Sequence, residues 1–216
     1  SAGVNVPQIL AQDLERGFVL LTDFGTVTYL DALAAMDADR LYRDALDALV
    51  RLQCASAPGM LPDYDAALLR RELMLFPDWY VERHLGRALA PEQRARLERM
   101  FDAVIAHNLA EPKVYVHRDY HSRNLMLTEP NPGMLDFQDA VTGPLSYDLV
   151  SLLKDAYVEW PEERVLDWAV LYWQGARRAG LSVRVDFGEF YRDFEWMGVQ
   201  RHLMTLAEPT HDVEMA

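Results

Sequence analysis

Three oxygen-bearing side chains stand at a fixed spacing in the chain. Residues 117–124 read His-Arg-Asp-Tyr-His-Ser-Arg-Asn, and Asp136 follows after a short intervening segment. Phosphoryl transfer from ATP needs a group that accepts a hydroxyl proton, and hard oxygen ligands for the Mg²⁺ that bridges the phosphates. The pattern H-R-D-x-x-x-x-N predicts Asp119 as the proton acceptor and Asn124 and Asp136 as magnesium ligands. The residues therefore indicate chemistry that uses ATP and Mg²⁺.

Short strands are predicted on both sides of this motif. Residues 113–116 favour a strand before the loop, while 125–128 and 133–136 favour the two arms of a hairpin. Residues 129–132, Glu-Pro-Asn-Pro, have the composition of its turn. A strand, a loop and a hairpin in this order form the context that the motif requires. The alternative, a chance cluster of charged loop residues, is far less favoured in this context.

The triplet Asp-Phe-Gly, which carries the metal-binding Asp in protein kinases, occurs twice elsewhere in the chain. It stands at 23–25 and at 186–188. The first copy lies far upstream of residues 117–124, the predicted catalytic loop. The second opens an amphipathic helix, where Asp186 suits an N-cap or a first turn. Neither follows the hairpin, so Asp136 is the predicted metal ligand although Gln138 stands where glycine is usual.

Two features separate the chain from protein kinases. Only residues 137–145 lie between Asp136 and the next predicted helix, so an activation segment does not fit, and no A-P-E sequence follows. His121 stands where the protein-kinase loop usually carries lysine. No protein substrate is therefore expected.

The pattern H-x-D-x-H-x-x-N, followed by D-F-x-D and the segments 143–144 and 147–149, resembles the aminoglycoside phosphotransferase-like family of small-molecule kinases. This resemblance implies a bilobal, protein-kinase-like fold acting on sugars, aminoglycosides, choline or homoserine. Residues 72–81 and 196–203 extend the similarity to bacterial kinases that phosphorylate the anomeric hydroxyl of N-acetylmuramate and N-acetylglucosamine during cell-wall recycling. It implies an amino sugar as the acceptor. An aminoglycoside or another amino-alcohol is the alternative.

Polar residues around the motif receive supporting roles. Asp148 is expected to hold the loop from the next helix by accepting backbone N–H bonds. Arg118 is expected to pair with an acid, and His117 to pack beneath the loop. Trp79 and Trp160 are expected in the core, with a sugar-stacking role as the alternative. His121 is expected to touch the γ-phosphate or to brace the loop, and Arg123 to meet substrate or phosphate or to be a solvated surface charge. Gln138 and Asp139 follow the predicted metal ligand, and Asp139 is expected to cap a turn or to bond the sugar.

The start of the chain predicts a hairpin with strands at 7–13 and 17–24 and a turn at 14–16. In a kinase-like fold this pair would be the last two strands of the small lobe. The hinge, whose backbone groups meet adenine, would then be Thr22, Asp23, Phe24 and Gly25. An edge hairpin with an ordinary turn is the alternative. Residues 1–25 are thus predicted to be a remnant of the small lobe with its hinge.

The rest of the chain has helical periodicity. Helices are predicted at 39–52, 64–85, 91–109, 145–157, 161–179 and 187–206. Pro91 and Pro161 suit first-turn positions, where a missing N–H is harmless. The predicted fold class is α+β and mainly helical, the large lobe of a protein-kinase-like fold. Residues 26–206 would form this lobe with its catalytic hairpin, and residues 207–216 an irregular tail.

No glycine-rich phosphate loop and no strand lysine stand ahead of the hinge. Three explanations are open: a piece of a longer chain, a small lobe that is not described, or a natural protein that lost it. The first two are favoured. The third would make the chain a non-catalytic binding remnant, because half of the triphosphate clamp would be absent.

Composition narrows the class of protein. The 216 residues suffice for one ample core, and no apolar run approaches the ~18 residues that a membrane span needs. The net charge of −13, from 34 acidic and 21 basic residues, disfavours nucleic acid as a partner. It would also steer cationic substrates. Cys54 is the only cysteine and no signal peptide is visible, which suits a cytoplasmic protein.

Overall fold

The structure, a computed structural model, describes residues 3–215, with side chains described as far as Ala207. It opens with an antiparallel hairpin of β1 (Ile9–Asp13) and β2 (Phe18–Leu21). The first helices are α1 (Tyr29–Ala32), α2 (Ala38–Cys54), α3 (Ala66–Leu75), a π-helical segment (Phe76–His84) and α4 (Pro91–Leu109). Then come β3 (Lys113–Val116), β4 (Leu125–Met126), β5 (Gly133–Met134) and β6 (Val141–Pro144). The last helices are α5 (Tyr147–Leu153), α6 (Glu162–Arg178) and α7 (Phe187–Met215).

The helices α1, α2 and α3 begin where polar side chains cap free backbone N–H groups. The Asp37 side chain accepts from the backbone N–H of Asp39 at the start of α2, and Asp65 accepts from Leu68 at the start of α3. Thr28 and Asp31 form a reciprocal capping box at α1. The apolar stripe of α2 lies in the core as its spacing predicts, with Leu41, Ala45 and Leu49 buried.

Some predicted helices have different limits. The helix predicted at 64–85 is divided into α3 and the π-helical segment, because Pro77 lacks the N–H that α-helical bonding needs. The helix predicted at 145–157 ends at Leu153, since the chain then turns to bring Asp155 under the catalytic loop. α7 continues to Met215, whereas an irregular tail is predicted from residue 207. Apolar periodicity reports burial, and a helical backbone does not require it.

The strands form three pairs in the described part of the chain: β1–β2, β3–β6 and β4–β5, all antiparallel. The arms predicted at 125–128 and 133–136 pair with each other over only two residues each. Beyond Met126 the partner changes, since the N–H of Leu127 donates to the carbonyl of Val27 (2.9 Å). The catalytic hairpin is therefore tied to the segment that joins β2 to α1.

The core lies among the helices around α7, which contacts α3, α4, α5 and the π-helical segment. Its largest fully buried side chains are aromatic and come from every part of the lobe, including Trp168, Tyr29, Tyr42, Tyr64, Tyr120, Tyr147, Tyr172, Phe101, Phe190 and Phe194. The hairpin β1–β2 differs, because its side chains are exposed on both faces. Within residues 3–215, none of the helices combines the length and apolar character needed to cross a membrane.

Candidate active site

The catalytic loop lies between β3 and β4, and the β4–β5 pairing decides which of its residues meet. Leu125 pairs with Met134, and one step further the N–H of Leu135 donates to the carbonyl of Asn124 (3.0 Å). Asp136 is the next residue along the chain. The hairpin therefore brings Asn124 and Asp136, the two predicted magnesium ligands, to the same end of one strand pair.

Asp119 lies at the centre of the loop and is half-buried. Its main-chain carbonyl accepts from the N–H of His121 (3.1 Å) and from Nδ2 of Asn124 (3.1 Å). It lines a small cleft together with residues of the loop, of α5 and its following turn, and of α7: His121, Ser151, Asp155, Tyr157, Arg201 and Thr205. The predicted base and a predicted metal ligand are thus joined by a direct hydrogen bond.

The donor set fits Mg²⁺. Nδ2 of Asn124 is engaged as a donor, so its Oδ1 is the atom with the chemistry of a magnesium ligand. The Asp136 carboxylate is exposed, and its Oδ1 accepts from Nε2 of Gln138 (2.6 Å). No group of three or more His, Cys, Asp or Glu side chains that could hold a metal occurs among the described residues. Mg²⁺ commonly takes one or two protein oxygens and completes its shell with phosphate and water.

Both ends of the site have unusual backbone conformations. Arg118 has φ 79° and Asp136 has φ 65°, and within residues 3–215 they are the non-glycine residues with positive φ. Such conformations cost roughly 1–3 kcal/mol and persist where surrounding contacts enforce them, often at active sites. Arg118 directly precedes the predicted base, and Asp136 is itself a predicted metal ligand. The strained backbone therefore lies where the direction of these side chains matters most.

Asp148, in the first turn of α5, holds the start of the loop. Its Oδ2 accepts from the N–H of His117 (2.6 Å) and its Oδ1 from the N–H of Arg118 (3.0 Å). Burial raises the pKa of the Asp148 carboxyl to about 7, although the two amides act to lower it. The bonds fix the backbone immediately before Asp119.

A second carboxylate, Asp155, holds the other half of the loop. Its Oδ2 accepts from the N–H of Ser122 (2.9 Å) and its Oδ1 from the N–H of Tyr157 (2.9 Å). Asp155 was not among the residues predicted from the sequence. The available signal is its position just beyond the C-terminal end of α5, where the helix dipole disfavours an acid.

Arg118 is paired with an acid, Glu72 of α3, at 2.8 Å between Nη2 and Oε1. The other carboxylate oxygen, Oε2, accepts from the hydroxyl of Tyr64 and from Nε2 of Gln200 (3.4 Å). Nη1 of Arg201 donates to the carbonyl of Arg118 (3.3 Å). Sequence reasoning anticipated an acid beside Arg118 without identifying it. Glu72 opens the 72–81 segment that carries the resemblance, which was the available signal.

The two histidines of the loop are in different surroundings. His117 is buried under the loop, with its ring edge-on to Tyr120 (5.8 Å between centroids). Burial lowers the pKa of His117 to about 4, so the imidazole is neutral at neutral pH. His121 lines the cleft beside Asp119 and contacts the ring of Tyr157 (5.6 Å). Burial also lowers the pKa of His121 below its usual value.

The remaining candidates lie at the rim of the site. Arg123 is exposed, with its guanidinium over the ring of Tyr157 (4.9 Å to the centroid). Gln138 and Asp139 form an exposed turn between Asp136 and β6. Gln138 donates to the predicted metal ligand Asp136, and no described hydrogen bond links Asp139 to it.

The predicted hinge lies against the catalytic hairpin. Phe24 packs on Gly133 so closely that a Cβ at residue 133 would lie 2.6 Å from its ring. The N–H of Thr22 donates to the carbonyl of Gln8 (3.0 Å), which continues the β1–β2 pairing. Oδ1 of Asp23 accepts from the N–H of Gly25 (2.8 Å), and Gly25 has φ 80°, which glycine adopts without strain.

The two candidate tryptophans are separated by the fold. Trp160 meets Tyr42 edge-on and donates from Nε1 to its hydroxyl (2.8 Å). It also lines a depression of about 320 Å³ that shares Asp155 with the cleft around Asp119. Trp79 lies in the π-helical segment, beneath the guanidinium of Arg83 (3.7 Å).

Taken together, the mainly helical lobe and the β4–β5 hairpin define a chain of the protein-kinase-like fold, as the sequence predicts. The solved structure of ADP-bound aminoglycoside phosphotransferase APH(2'')-Ib superimposes with a TM-score of 0.57. The alignment covers 94% of this chain and 77% of that one, at 16% identity. At this identity the likeness concerns the fold alone.

The chain belongs to the phosphotransferase enzyme family, whose sequence model matches residues 1–185. It is 55% identical over 205 residues to an N-acetylmuramate/N-acetylglucosamine kinase of Pseudomonas aeruginosa. It is 53% identical over 204 residues to a protein of the same name from Neisseria meningitidis serogroup B. The matches cover 95% and 93% of this chain and 61% of each relative. The chain thus spans less than two thirds of the length of these relatives.

Proposed function

We propose that this chain supplies the acceptor and metal sites of a kinase that transfers the γ-phosphoryl group of ATP to a hydroxyl of N-acetylmuramate or N-acetylglucosamine. The observation that carries the proposal is 55% identity, across 95% of the chain, to a relative with that name. The geometry supports it, because Asp119 lines a small cleft and its carbonyl is bonded to Asn124. The anomeric hydroxyl is the proposed acceptor atom.

In the proposed reaction the Asp119 carboxylate accepts the proton of the sugar hydroxyl as that oxygen attacks the γ-phosphorus. The new O–P bond forms, the bond to the β–γ bridging oxygen breaks, and ADP leaves with the electron pair. Asn124 and Asp136 would hold Mg²⁺, which neutralises the phosphate oxygens when bound. Arg123, an exposed residue of the loop, is a candidate cation for the phosphates. Asp148 and Asp155 keep the loop in place throughout.

The proposed adenine site lies at the hinge formed by residues 22–25. Support comes from two contacts that hold this segment against the catalytic hairpin: the Phe24 ring on Gly133, and the bond from Leu127 N–H to the carbonyl of Val27. A nucleotide bound there would have its phosphates directed along the hairpin to Asn124 and Asp136. Replacing Gly133 with Ala would displace Phe24, and should therefore raise the nucleotide KM more than it lowers kcat.

The depression beside Asp155 is the proposed path of the sugar to Asp119. Its wall includes Trp160, an aromatic face of the kind on which sugar rings stack. Trp160 also donates to the hydroxyl of Tyr42, so the replacement should still carry a ring N–H donor. Trp160→His is therefore preferable to Trp160→Ala. A raised KM for the sugar, at unchanged KM for ATP, is the expected result.

A second candidate, phosphorylation of an aminoglycoside or another amino-alcohol, is favoured by one observation. The net charge of −13 would attract cationic acceptors. The same charge disfavours a nucleic-acid partner, and a single cysteine is compatible with the reducing cytoplasm where we place the reaction.

The test is a coupled ADP-release assay on the complete gene product that contains this chain, with N-acetylmuramate, N-acetylglucosamine, aminoglycosides and choline as acceptors. ADP release with the N-acetylated sugars, and phosphorus coupling to the anomeric proton in the product NMR spectrum, are expected. ADP release with cationic acceptors alone would establish the second candidate instead. No release with any acceptor would leave a non-catalytic binding role.

A further inference from the structure

The pair formed by Glu72 and Arg118 is shielded from water. The side chain of Glu72 is 7% exposed and that of Arg118 is 25% exposed. Both oxygens of Glu72 accept hydrogen bonds, from Arg118 on one side and from Tyr64 and Gln200 on the other. Burying a carboxylate is unfavourable unless such partners are present. The surroundings of Glu72 therefore satisfy both of its oxygens and fix the carboxylate in one direction.

The structure also makes room for this arrangement. Tyr64 packs on Gly143 of β6, where an added Cβ would lie 2.8 Å from the Tyr64 Cβ. Gln200 of α7 is fully buried and also donates to the carbonyl of Leu69 (3.0 Å). Groups from the segment before α3, from α7 and from the loop thus converge on one carboxylate of α3, which itself lies outside the catalytic loop.

The backbone N–H and the backbone carbonyl of Arg118 are also hydrogen-bonded. Its N–H donates to Asp148 (3.0 Å), and its carbonyl accepts from Arg201 (3.3 Å), which also bonds the hydroxyl of Tyr147 (3.0 Å). With φ at 79°, this residue is in a conformation that needs such support. Asp119 is the next residue, so the conformation of Arg118 decides where the proposed base points.

In protein kinases, activation loops are ordered by phosphorylation through new pairs between arginine and the phosphorylated residue. Here residues 137–140 are all that separate Asp136 from β6, which leaves no comparable loop. The anion beside Arg118 is instead a carboxylate supplied by helix α3, 46 residues upstream in sequence. It is present whenever the lobe is folded.

We propose that Glu72 is a positioning residue, a resident counter-charge that holds Arg118, and through it Asp119, in the reactive direction without phosphorylation. This inference rests on the proposed function for its kinetic consequence. Tyr64 and Gln200 keep Glu72 in place, and Gly143 admits Tyr64. Loss of the pair should lower kcat, because misplacement of a reacting group by about 1 Å can cost ~10²-fold in rate. The KM values for both substrates should change little.

A purely structural role is separated from a positioning role by replacing both members of the pair. Buried ion pairs are often replaced by apolar side chains without loss of stability. In the complete gene product, Glu72→Met with Arg118→Met should therefore retain a melting temperature near that of the wild type and yet show a kcat ~10²-fold lower. Wild-type kcat in the stable double variant would overturn the proposal.

Two further variants cover the case in which the double variant is unstable. Glu72→Gln keeps the size and one acceptor but removes the charge, and a kcat about tenfold lower is expected from the weaker hydrogen bond to Arg118. Arg70→Met is the matched control, because Arg70 lies on the same helix but pairs with Asp102 at the surface. A Gln variant with the turnover of the Arg70 control would overturn the proposal.

Hydrogen exchange supplies a readout that does not depend on activity. Amides in 116–124 should exchange faster in Glu72→Gln than in wild type, while those of α6 should not change. Equal exchange over 116–124 would overturn the proposal. If wild type phosphorylates no N-acetylated sugar, the proposed function fails, and this comparison still tests the role of Glu72.

Discussion

The catalytic loop and the β1–β2 hairpin are supported in opposite ways. Two carboxylates, Asp148 and Asp155, bind the loop backbone, and a buried ion pair holds the residue before Asp119. The hairpin exposes its apolar side chains: Phe18 is 68% exposed, Ile9 63% and Leu14 72%. All residues of its two strands are exposed, although most of them are apolar.

The difference shows where the folding free energy of this chain comes from. A two-stranded hairpin alone is marginal in water, whereas the loop is bonded to helices that share the main core. Substituting a side chain that makes few contacts in the folded chain changes the free energy of unfolding only slightly. We therefore expect catalysis and stability to depend steeply on the loop and its anchors, and stability to depend weakly on the hairpin.

The largest effect is expected from Asp119→Asn in the complete gene product. The amide cannot accept the hydroxyl proton, so kcat should fall by ~10²–10⁴-fold at unchanged thermal stability. Steady-state kinetics with ADP detection measure it. Asp13→Asn is the control, because Asp13 is an exposed acid of β1 that pairs weakly with Arg16 (3.7 Å). If both variants turned over at the same rate, Asp119 would not be the base.

Removal of a loop anchor tests the other side of the comparison. Asp148→Ala leaves the buried N–H groups of His117 and Arg118 without their acceptor, at a cost of about 1–3 kcal/mol for each. Urea unfolding should show this loss together with a lower kcat. Asp31→Ala, which removes an exposed capping box at α1, should cost only about 1 kcal/mol. Equal losses in the two variants would contradict an anchoring role for Asp148.

The burial of His117 makes a prediction about pH. Its pKa is about 4 in the folded chain and near its ordinary 6.5 when unfolded, so the unfolded state binds more protons between these values. The stability that depends on the neutral ring is complete above pH 6.5 and is lost as the pH falls towards 4. His117→Leu should therefore gain stability relative to wild type over this window, by up to about 3 kcal/mol.

Denaturant unfolding at pH 7.5, 6 and 5 measures the difference between the two proteins. Glu111 and Asp148, whose pKa values burial raises, contribute with the opposite sign, but both proteins contain them. A difference that stays constant across the window would mean that His117 is not shielded from water. The hairpin contains no buried titratable group in its described strands, so substitutions there should not alter this profile.

The sequence predicts most of this lobe because its signals are local. The loop motif, the turn at 129–132 and the apolar stripe of α2 are each read within a few residues, and each lies where the pattern places it. Where the observed limits of a helix or strand differ from the predicted limits, a single residue or a change of pairing partner is the cause. Pro77 has this effect in the helix predicted at 64–85.

The contacts that fix the site are long-range and leave no local pattern. Asp155 binds Ser122 across 33 residues, Glu72 binds Arg118 across 46, and Arg201 binds Arg118 across 83. A single sequence reports which residue types are present, but not which of several acids comes to face Arg118. The exposure of the β1–β2 hairpin could not be predicted for the same reason. Alternating apolar residues predict strands, but they do not show whether another surface covers those strands.

The smallest effect is expected in the hairpin itself. Phe18→Ser removes an exposed ring from β2, so the free energy of unfolding of this chain should change by no more than about 0.5 kcal/mol. Phe101→Ala, in the buried face of α4, should cost about 3–5 kcal/mol by the same denaturant measurement. A loss of more than about 2 kcal/mol in Phe18→Ser would mean that the hairpin is packed in solution. The two regions would then share one core, and the hairpin would not be the weakly packed region that its exposed side chains indicate.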